Sequence, residues 1–291
     1  MGFQRSLGRE VFEYDKEGIS AKIIKHNLRF GRSYLYIPRG PGVDFNMMSG
    51  GFKNPINNFV VFLKELARAN KSIFIKSEPL ADSVAQALVE SGRFKKSKKE
   101  IQPSKTTIIN LEADELDILS NMHNKTRYNI KVAEKNGVIV KESQDTEAFL
   151  DMLHKTTKRD NFSGHPDGYY HKLLNDNSLN TKLFIAFYEN KPIAGAITLT
   201  YGDVGYYLHG ASDYEHRALM APYMLHWQIM QYFKRAGVKN YDMWGIDARR
   251  WPGVTRFKLG WGGRTVEYPG SFDLPIARLW YLAYKIARKI I

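Results

Sequence analysis

The sequence predicts an α/β protein of the α+β class, made of two lobes that repeat one order of strands and helices. A length of 291 residues suits two medium domains or one large one. The hydrophobic fraction of 43% is enough for a substantial core. Strand-like and helix-like segments alternate in the first half of the chain and again in the second half, which favours two lobes.

The first lobe is predicted over residues 1–136. Tyr34–Ile37 is an apolar run closed by Pro38 and Gly40-Pro41, which is typical of a strand. Asn57–Ala69 has apolar residues at helical spacing and predicts a helix. The other predicted elements are strands over Ile19–Ile24, Ser72–Ile75 and Thr106–Leu111, a helix over Leu80–Val89, a basic loop over Arg93–Lys99 that is either solvated or contacts phosphate, and a helical stretch over Asp114–Lys135 with a break near Asn121 and a terminal cap at Gly137.

The second lobe is predicted over residues 137–271 and repeats this alternation. After two helices, Thr146–Lys158 and Tyr169–Leu174, come three strands joined by tight turns, Lys182–Tyr188, Ile193–Leu199 and Val204–Leu208, which predict an antiparallel meander. A long helix over Leu219–Lys234 and a strand over Val238–Trp244 follow. This order argues against a dinucleotide-binding domain, which needs parallel crossovers from its start. It favours two tandem GNAT-like acyltransferase lobes with a cleft between them.

Residues 272–291 predict a C-terminal amphipathic helix. Within Ile276–Ile291 the apolar residues share a broad face, and the lysines and arginines lie largely elsewhere. Two roles are open for this helix: packing across the lobes, or contact with an anionic membrane surface.

Composition narrows the classes of function. Lys and Arg number 43 against 30 acidic residues, a net charge of +13, which favours a polyanionic partner. The chain has no cysteine, so disulfides, zinc–thiolate sites and a cysteine nucleophile are excluded, and its eight histidines show no metal-ligand spacing. No segment has the apolar length of a signal peptide or a membrane span, which predicts a cytoplasmic protein.

One absent motif concerns the acyl donor. Acetyltransferases that use coenzyme A carry a glycine-rich turn before the long helix, where backbone N–H groups bind the pyrophosphate. Here that place is taken by His216–Tyr223, which contains no glycine. We therefore expect no coenzyme A and no other cofactor, and a different acyl donor.

Several segments, in the same order along the chain, resemble the FemABX family of non-ribosomal peptidyl (aminoacyl) transferases. They are Tyr36–Pro41, Lys125–Lys131, Arg159–Phe162, Tyr206–Ser212, Ala221–Tyr223, Tyr241–Ile246 and Phe257–Lys258 with Gly260–Gly263. The resemblance spans nearly the whole chain. Members with a coiled-coil insertion exist, but no heptad run of that length occurs here. His165 stands where members carry an arginine, and His209 where they often carry tyrosine.

The resemblance implies transfer of an amino acid (glycine, alanine or serine) from aminoacyl-tRNA to the stem-peptide amine of a peptidoglycan precursor, either lipid II or UDP-MurNAc-pentapeptide. The first lobe would bind the precursor and the second would carry the catalytic Phe257-Lys258 pair. Aminolysis of an ester passes through an oxyanion, and a lysine ammonium suits its stabilisation. We expect Lys258→Met to abolish turnover and leave folding unchanged, since the lysine is expected near the surface.

Further site residues are hypotheses of the same kind. Glu78 and Asp242 are candidates for a general base, although each also fits a structural role. The candidate substrate-binding residues are Arg39, Arg127, His165, Tyr169, Tyr207, His209 and Trp244. The protein is expected in the cytoplasm, with peripheral contact to the inner face of the cell membrane as an option. Two alternatives remain: a GNAT-fold N-acyltransferase with another acyl donor, and a basic RNA- or membrane-binding module without catalysis.

Overall fold

The computed structural model describes residues 2–47 and 53–290. The strands are β1 (Val11–Lys16), β2 (Ile19–Asn27), β3 (Ser33–Ile37), β4 (Gly42–Val43), β5 (Ser72–Ser77), β6 (Lys95–Lys96), β7 (Lys105–Asn110), β8 (Ile139–Ser143), β9 (Asn180–Tyr188), β10 (Lys191–Tyr201), β11 (Val204–Ser212), β12 (Asn240–Gly245), β13 (Arg264–Glu267) and β14 (Phe272–Pro275). The α-helices are α1 (Gly2–Ser6), α2 (Lys53–Ala69), α3 (Asp82–Gly92), α4 (Glu115–Asn121), α5 (Asn124–Lys135), α6 (Thr146–Asp160), α7 (Asp167–Asn175), α8 (Ala221–Arg235), α9 (Pro252–Leu259) and α10 (Arg278–Ile290).

The chain divides into two compact units, each with its own sheet and core. The first unit is Met1–Ser104 with Glu267–Ile291, and the second is Lys105–Val266. The predicted boundary at residue 136 is therefore misplaced. The boundary is misplaced because β7 pairs antiparallel with β12 and α5 packs on α8. Residues 105–136 therefore belong to the second unit.

In the first unit the strand order is β1-β2-β3-β5-β14-β6, with β4 beside β2. A meander of β1, β2 and β3 leads through α2 to β5, which lies parallel to β3. Helix α2 buries Phe59, Val60 and Leu63 against this sheet, as its periodicity predicts. Phe272–Pro275, predicted as helix, is the strand β14 beside β5.

In the second unit the strand order is β13-β7-β12-β11-β10-β9-β8. The predicted meander of β9, β10 and β11 is confirmed, and α8 leads from it to β12, which lies parallel to β11. Each unit therefore has strands, then a helix, then a strand, as predicted, and in both units the structure shows that the last of these strands lies parallel to the end of a meander. The two faces of this sheet are covered differently: Ala194 and Ala196 pack in the core that includes α5 and α8, whereas a Cβ at Gly195 would lie 2.9 Å from Phe149 of α6.

Other local predictions have mixed outcomes. The break near Asn121 is confirmed between α4 and α5, and Gly137, with φ +74°, ends α5 as predicted. The predicted Leu80–Val89 helix runs instead over Asp82–Gly92, and the basic Arg93–Lys99 loop contains the short strand β6. The C-terminal helix begins at Arg278, and Ile291 lies outside the described residues. Within residues 2–47 and 53–290 no helix is both long and apolar enough to cross a bilayer.

Candidate active site

A gap between two parallel strands organises the candidate site in the second unit. β11 and β12 are paired from Val204 opposite Asn240 to Tyr206 opposite Asp242. Beyond that point β11 continues to Ser212 without β12 as a partner. β12 bends where its register with β7 shifts between Asp242 and Gly245, and Trp244 there has φ +62°. Such a left-handed conformation is uncommon for a bulky residue and usually persists only where its surroundings hold it.

The carboxylate of Asp242 holds this bend. Its Oδ1 accepts the N–H of Trp244 at 2.7 Å and the hydroxyl of Thr106 on β7. Asp242 is buried, with 3% exposure. These bonds place the carbonyl of Gly245 at the end of β12, where it faces α9.

Lys258 is the charged group beside the gap. Its Nζ donates to the Gly245 carbonyl oxygen at 2.9 Å and lies 5.3 Å from the centre of the Tyr207 ring. The side chain is only 7% exposed, so the expectation of a lysine near the surface is wrong. Helix α9 carries it inward because α9 turns Thr255 and Lys258, one turn apart, toward the protein interior.

Burial sets the protonation of Lys258. Loss of solvent lowers the pKa of this ammonium to about 8, although the charge of Asp242 acts in the opposite direction. At pH 7 the lysine is still mostly charged, but it gives up its proton far more readily than a lysine in water. It can therefore stabilise an anion and exchange a proton near physiological pH.

A group of contacting aromatic rings lies beside Lys258 on the α8 side. The Phe257 ring lies 5.1 Å from Tyr223 and 5.4 Å from His226, and His226 lies 4.5 Å from Tyr207. The Nδ1 atom of His226 and the Tyr241 hydroxyl are 2.9 Å apart. Burial, followed by the Lys258 charge, lowers the pKa of His226 to about 3, so this imidazole is neutral at pH 7.

A cavity of about 820 Å³ opens beside α9. Its lining includes His123, Lys125 and Thr126 from the start of α5, Tyr223 from α8, and Arg256, Phe257 and Gly260 from α9 and its end. Gly260 allows the close packing there, because a Cβ would lie 2.7 Å from the Thr126 hydroxyl oxygen. The cations Lys125 and Arg256 thus share one cavity with the rings of Tyr223 and Phe257, and Phe257 belongs both to the cavity wall and to the surroundings of Lys258.

The opposite face of the sheet carries a second cluster. His165 stacks on Tyr169 with ring centres 4.0 Å apart, and His209 meets both rings edge-on at 5.8 and 5.7 Å. Burial lowers the pKa of His209 to about 4, with the charge of His165 a smaller cause. Three residues that the sequence predicted separately are therefore brought together.

An irregularity in β11 directs Tyr207 and His209 to different faces. Thr198 pairs with Tyr207 and the adjacent Ile197 pairs with His209, so the intervening Leu208 is an inserted residue. Tyr207 consequently points toward α8 and Lys258, and His209 toward α6 and α7. The candidate residues thus form two groups on the two sides of the sheet, next to the place where β11 and β12 part.

Arg127 does not join either group. Its guanidinium donates to the carbonyl oxygens of Leu119 and Ser120, each at 3.2 Å, and to that of Met122. Because these carbonyls end α4, Arg127 acts as a cap for that helix. Its prediction as a substrate grip is not supported by this geometry.

Glu78 and Arg39 lie in the first unit. Each oxygen of the buried Glu78 carboxylate accepts two hydrogen bonds, and the four donors are the Tyr36 hydroxyl at 2.6 Å, the Ile101 N–H at 2.7 Å, the Gln102 N–H at 3.0 Å and the Ser271 hydroxyl at 3.0 Å. With these lone pairs engaged, Glu78 is an anchor for the 101–102 loop and a poor general base. Arg39 donates to the Pro103 carbonyl oxygen at 3.0 Å and covers the Tyr268 ring at 4.1 Å.

Asp242 and Trp244 also have structural explanations. Asp242 holds the bend of β12, as described above, and Trp244 packs edge-on to Tyr206 at 5.8 Å. The sequence reasoning missed His226, Tyr241 and Thr106, because buried positions on a helix stripe or a strand carry no signal that separates a site residue from the core. No group of three or more metal-ligating side chains is found in the described part of the chain.

Comparisons with known proteins confirm the family resemblance. The model of the FemAB family matches residues 90–188 and 174–289. The lipid II:glycine glycyltransferase of Staphylococcus epidermidis is 21% identical, over 94% of this chain and 84% of that protein. The protein of the same name from Staphylococcus aureus is 22% identical, over 88% and 80%.

Solved structures confirm the fold class. The crystal structure of FemX superposes with a TM-score of 0.81 at 20% identity, and covers 97% of this chain and 92% of that one. A tandem GNAT protein from the clavulanic acid biosynthesis pathway gives a TM-score of 0.60 at 10% identity, over 89% and 79%. The two units are thus of the predicted tandem GNAT-like type.

Proposed function

The chain belongs to the FemAB family, and from this premise we propose that it transfers an amino acid (glycine, alanine or serine) from aminoacyl-tRNA to the stem-peptide amine of a peptidoglycan precursor. The relatives named lipid II:glycine glycyltransferases support an aminoacyl transferase of this kind. The observation that carries the proposal is the buried Lys258, with its pKa lowered to about 8, beside the gap between β11 and β12.

The gap offers a route for the two substrates to meet. The cavity beside α9 lies on the α8 side of the sheet, and the cluster of His165, Tyr169 and His209 lies on the α6–α7 side. We assign the donor to the first and the acceptor to the second. The ester carbonyl then reaches the gap from one side and the attacking amine from the other.

Lys258 supplies the electrostatic step. When the amine nitrogen attacks the ester carbon, negative charge develops on the carbonyl oxygen, and a nearby ammonium stabilises it. The Gly245 carbonyl holds this ammonium at 2.9 Å in its fixed position. As the bond from carbon to the ribose oxygen breaks, that oxygen takes up the proton lost by the amine. This route needs no protein carboxylate, in keeping with the engaged oxygens of Glu78.

The lining of the cavity suits the 3′ end of a tRNA. Tyr223 and Phe257 offer ring faces or edges to a terminal base, and Lys125 and Arg256 offer charge to phosphates. A coenzyme A donor is disfavoured at the start of α8, because Pro222 has no N–H and the N–H of Tyr223 donates to the Met220 carbonyl at 2.9 Å. The anion-binding N–H groups of that turn are therefore lost or engaged.

The cluster on the other face suits the acceptor. Stacked His165 and Tyr169 and the neutral His209 present ring surfaces and hydrogen-bonding atoms to sugar or peptide. The neutral His209 would grip phosphate less strongly at pH 7 than an arginine does. Both substrates belong to the cytoplasmic side of the cell membrane, where we expect the protein to work.

The test is a mass-shift assay with mixed charged tRNAs and both precursor forms, lipid-linked and nucleotide-linked. We expect one added amino acid, dependence on charged tRNA, and loss of product after RNase treatment. Lys258→Met should lower turnover strongly, whereas Lys131→Met, at an exposed lysine on α5, should not. Product from acetyl-coenzyme A with none from any charged tRNA would sink the proposal and favour another acyl donor.

A further inference from the structure

Helix α10 carries large apolar side chains on its outer side. Leu279, Leu282 and Ile286 are 84%, 56% and 52% exposed, and their spacing puts them on one face. The opposite face is anchored, because the rings of Tyr281 and Tyr284 lie 5.2 and 5.1 Å from Phe74 on β5. The helix is thus held on the sheet by its tyrosines and turns its leucines to solvent.

The turn between β2 and β3 extends this apolar face. Phe30 is 82% exposed at the tip of the turn, between Arg29 and Arg32. Its ring lies 6.2 Å from Trp280 of α10, and the Arg32 guanidinium covers the same Trp280 ring at 4.7 Å. Two elements far apart in sequence therefore form one surface, the docking surface, made of Phe30, Leu279, Trp280, Leu282 and Ile286.

The charged side chains within the two segments that form this surface have one sign. Arg29 and Arg32 flank Phe30, and Arg278, Lys285 and Arg288 lie along α10. Residues 20–34 contain no aspartate or glutamate, and neither do residues 276–291. An exposed apolar face with a basic border is the pattern of a helix that lies in the plane of a membrane interface.

We propose that the docking surface binds an anionic lipid bilayer, with Phe30 and the leucines of α10 at the acyl boundary and the basic side chains at the lipid phosphates. Basic side chains near such a surface are attracted to anionic lipids, and the apolar face is removed from water. A second copy of this chain is a poorer occupant, because it would bring five cations against five of the same sign. The inference goes beyond the proposed function and stands without it, since binding needs neither substrate.

The experiment is co-sedimentation of the full chain with vesicles of phosphatidylcholine alone or with phosphatidylglycerol added. We expect binding to the anionic vesicles, weakened by salt, and little binding to the neutral ones. Leu279→Glu should lower the partition coefficient by about tenfold or more, because it removes a large apolar contact and adds repulsion. Phe30→Ser and Ile286→Glu should each weaken binding as well.

A matched control is Leu116→Glu on α4, since Leu116 is 80% exposed and Leu279 is 84% exposed. Leu116→Glu changes the net charge by the same amount, but on another helix, and should leave vesicle binding intact. Failure of the wild-type chain to bind anionic vesicles, or equal losses in Leu279→Glu and Leu116→Glu, would overturn the proposal. The proposal would also be overturned if sedimentation velocity showed that the wild-type chain is a dimer, that Leu279→Glu is a monomer, and that neither protein binds vesicles.

The assay separates this inference from the proposed function. Vesicle binding with no aminoacyl transfer would refute only the enzyme activity. Transfer to the nucleotide-linked precursor without vesicle binding would refute only the docking surface. With both intact, Leu279→Glu should slow transfer to the lipid-linked precursor in vesicles and spare transfer to the nucleotide-linked one.

Discussion

The crossover strands of the two units, β5 and β12, occupy the same place in their sheets but end differently. β5 stays paired with β3 through Ile37–Ser77, and the N–H of Glu78 continues the ladder to the Ile37 carbonyl at 3.1 Å. β12 is no longer paired with β11 beyond the pair of Tyr206 and Asp242, and it bends at Trp244. In the first unit the two parallel strands stay paired at this point, whereas in the second unit they separate.

A buried lysine lies near each strand end, and the two have different surroundings. Lys76 of β5 pairs with Asp273 at 2.7 Å and also donates to the Ser271 hydroxyl at 2.9 Å, the Lys99 carbonyl at 3.0 Å and the Ser97 hydroxyl at 3.1 Å. Among the residues that the structure describes, the Gly245 carbonyl is the hydrogen-bond acceptor of Lys258. An ammonium with spare donors can bind a new oxygen, whereas one surrounded by acceptors cannot. The difference supports the proposal that the second unit carries the chemistry.

The largest expected effect is that of Lys258→Met on turnover. Removing a single stabiliser of an oxyanion typically lowers kcat by about 10²–10³. The free energy of unfolding at pH 7 should not fall, and should rise by up to about 3 kcal/mol, because a charge held at a lowered pKa opposes folding. Steady-state kinetics and urea denaturation measure the two effects. A variant that loses activity only in proportion to its unfolded fraction would contradict the catalytic role.

The matching change in the first unit is Lys76→Met. It leaves Asp273 buried without its cation, which typically costs about 3–5 kcal/mol of stability. Turnover per folded molecule should stay within about twofold, since Lys76 has no spare donor for a substrate. Denaturation and kinetics on the folded fraction would reveal the reverse pattern of Lys258→Met. A large loss of kcat with stability unchanged would make the two lysines functionally alike and remove the contrast.

The sequence could predict much of this fold for physical reasons. The meander of β9 to β11 and the stripe of α8 follow from periodicity, because their side chains alternate or recur against a buried core. The boundary at 136 was misplaced because the partner of β7, the strand β12, lies more than a hundred residues away, and local pattern carries no pairing information. The same holds for Phe272–Pro275, which becomes a strand only beside β5.

The sequence could supply candidate site residues but not their environment. The motif around Phe257-Lys258 predicts the lysine as a site residue, but its burial depends on how α9 lies against β12. The capping role of Arg127 depends on where α4 ends, and the four donors to Glu78 come from distant segments. The opposite directions of Tyr207 and His209 depend on one inserted residue, Leu208, which regular alternation hides.

The pH dependence of the reaction tests the state of Lys258. The acceptor amine, with a pKa near about 10.4, should make log kcat/KM rise with a slope of about one below pH 8. If the Lys258 ammonium is the active form, the slope should fall to about zero above pH 8. The fraction of charged Lys258 then falls as fast as the fraction of neutral acceptor amine rises. A slope of about two below pH 8 and about one above it would assign Lys258 the role of base instead, because both amines would then have to lose a proton. In Lys258→Met the break near pH 8 should vanish.

Stability has a linked pH dependence with a definite sign. The pKa of Lys258 is about 8 when folded and about 10.4 when unfolded, so the unfolded chain binds more protons between these values. The free energy of unfolding should therefore rise between pH 8 and about 10.4 in the wild type relative to Lys258→Met. Below pH 8 the difference between the two proteins should be constant. Parallel urea titrations across this range measure it, and identical slopes would mean that Lys258 is not buried as described.

The smallest expected effect concerns the ring above the lysine. A Cβ at Gly210 would lie 1.8 Å from the Tyr207 hydroxyl, so Gly210→Ala must push that ring from its place. Lys258 would then gain water and its pKa would move up from about 8, which should shift the break in the kcat/KM profile to higher pH and lower kcat by about tenfold or less. Gly205→Ala is the control, because its Cβ would meet the Phe233 ring at 2.4 Å, on the α8 side but away from the lysine. It should lower stability without moving the break. A break that stays near pH 8 in Gly210→Ala would mean that Tyr207 does not shield Lys258, and the separation of β11 from β12 would have to account for the lowered pKa on its own.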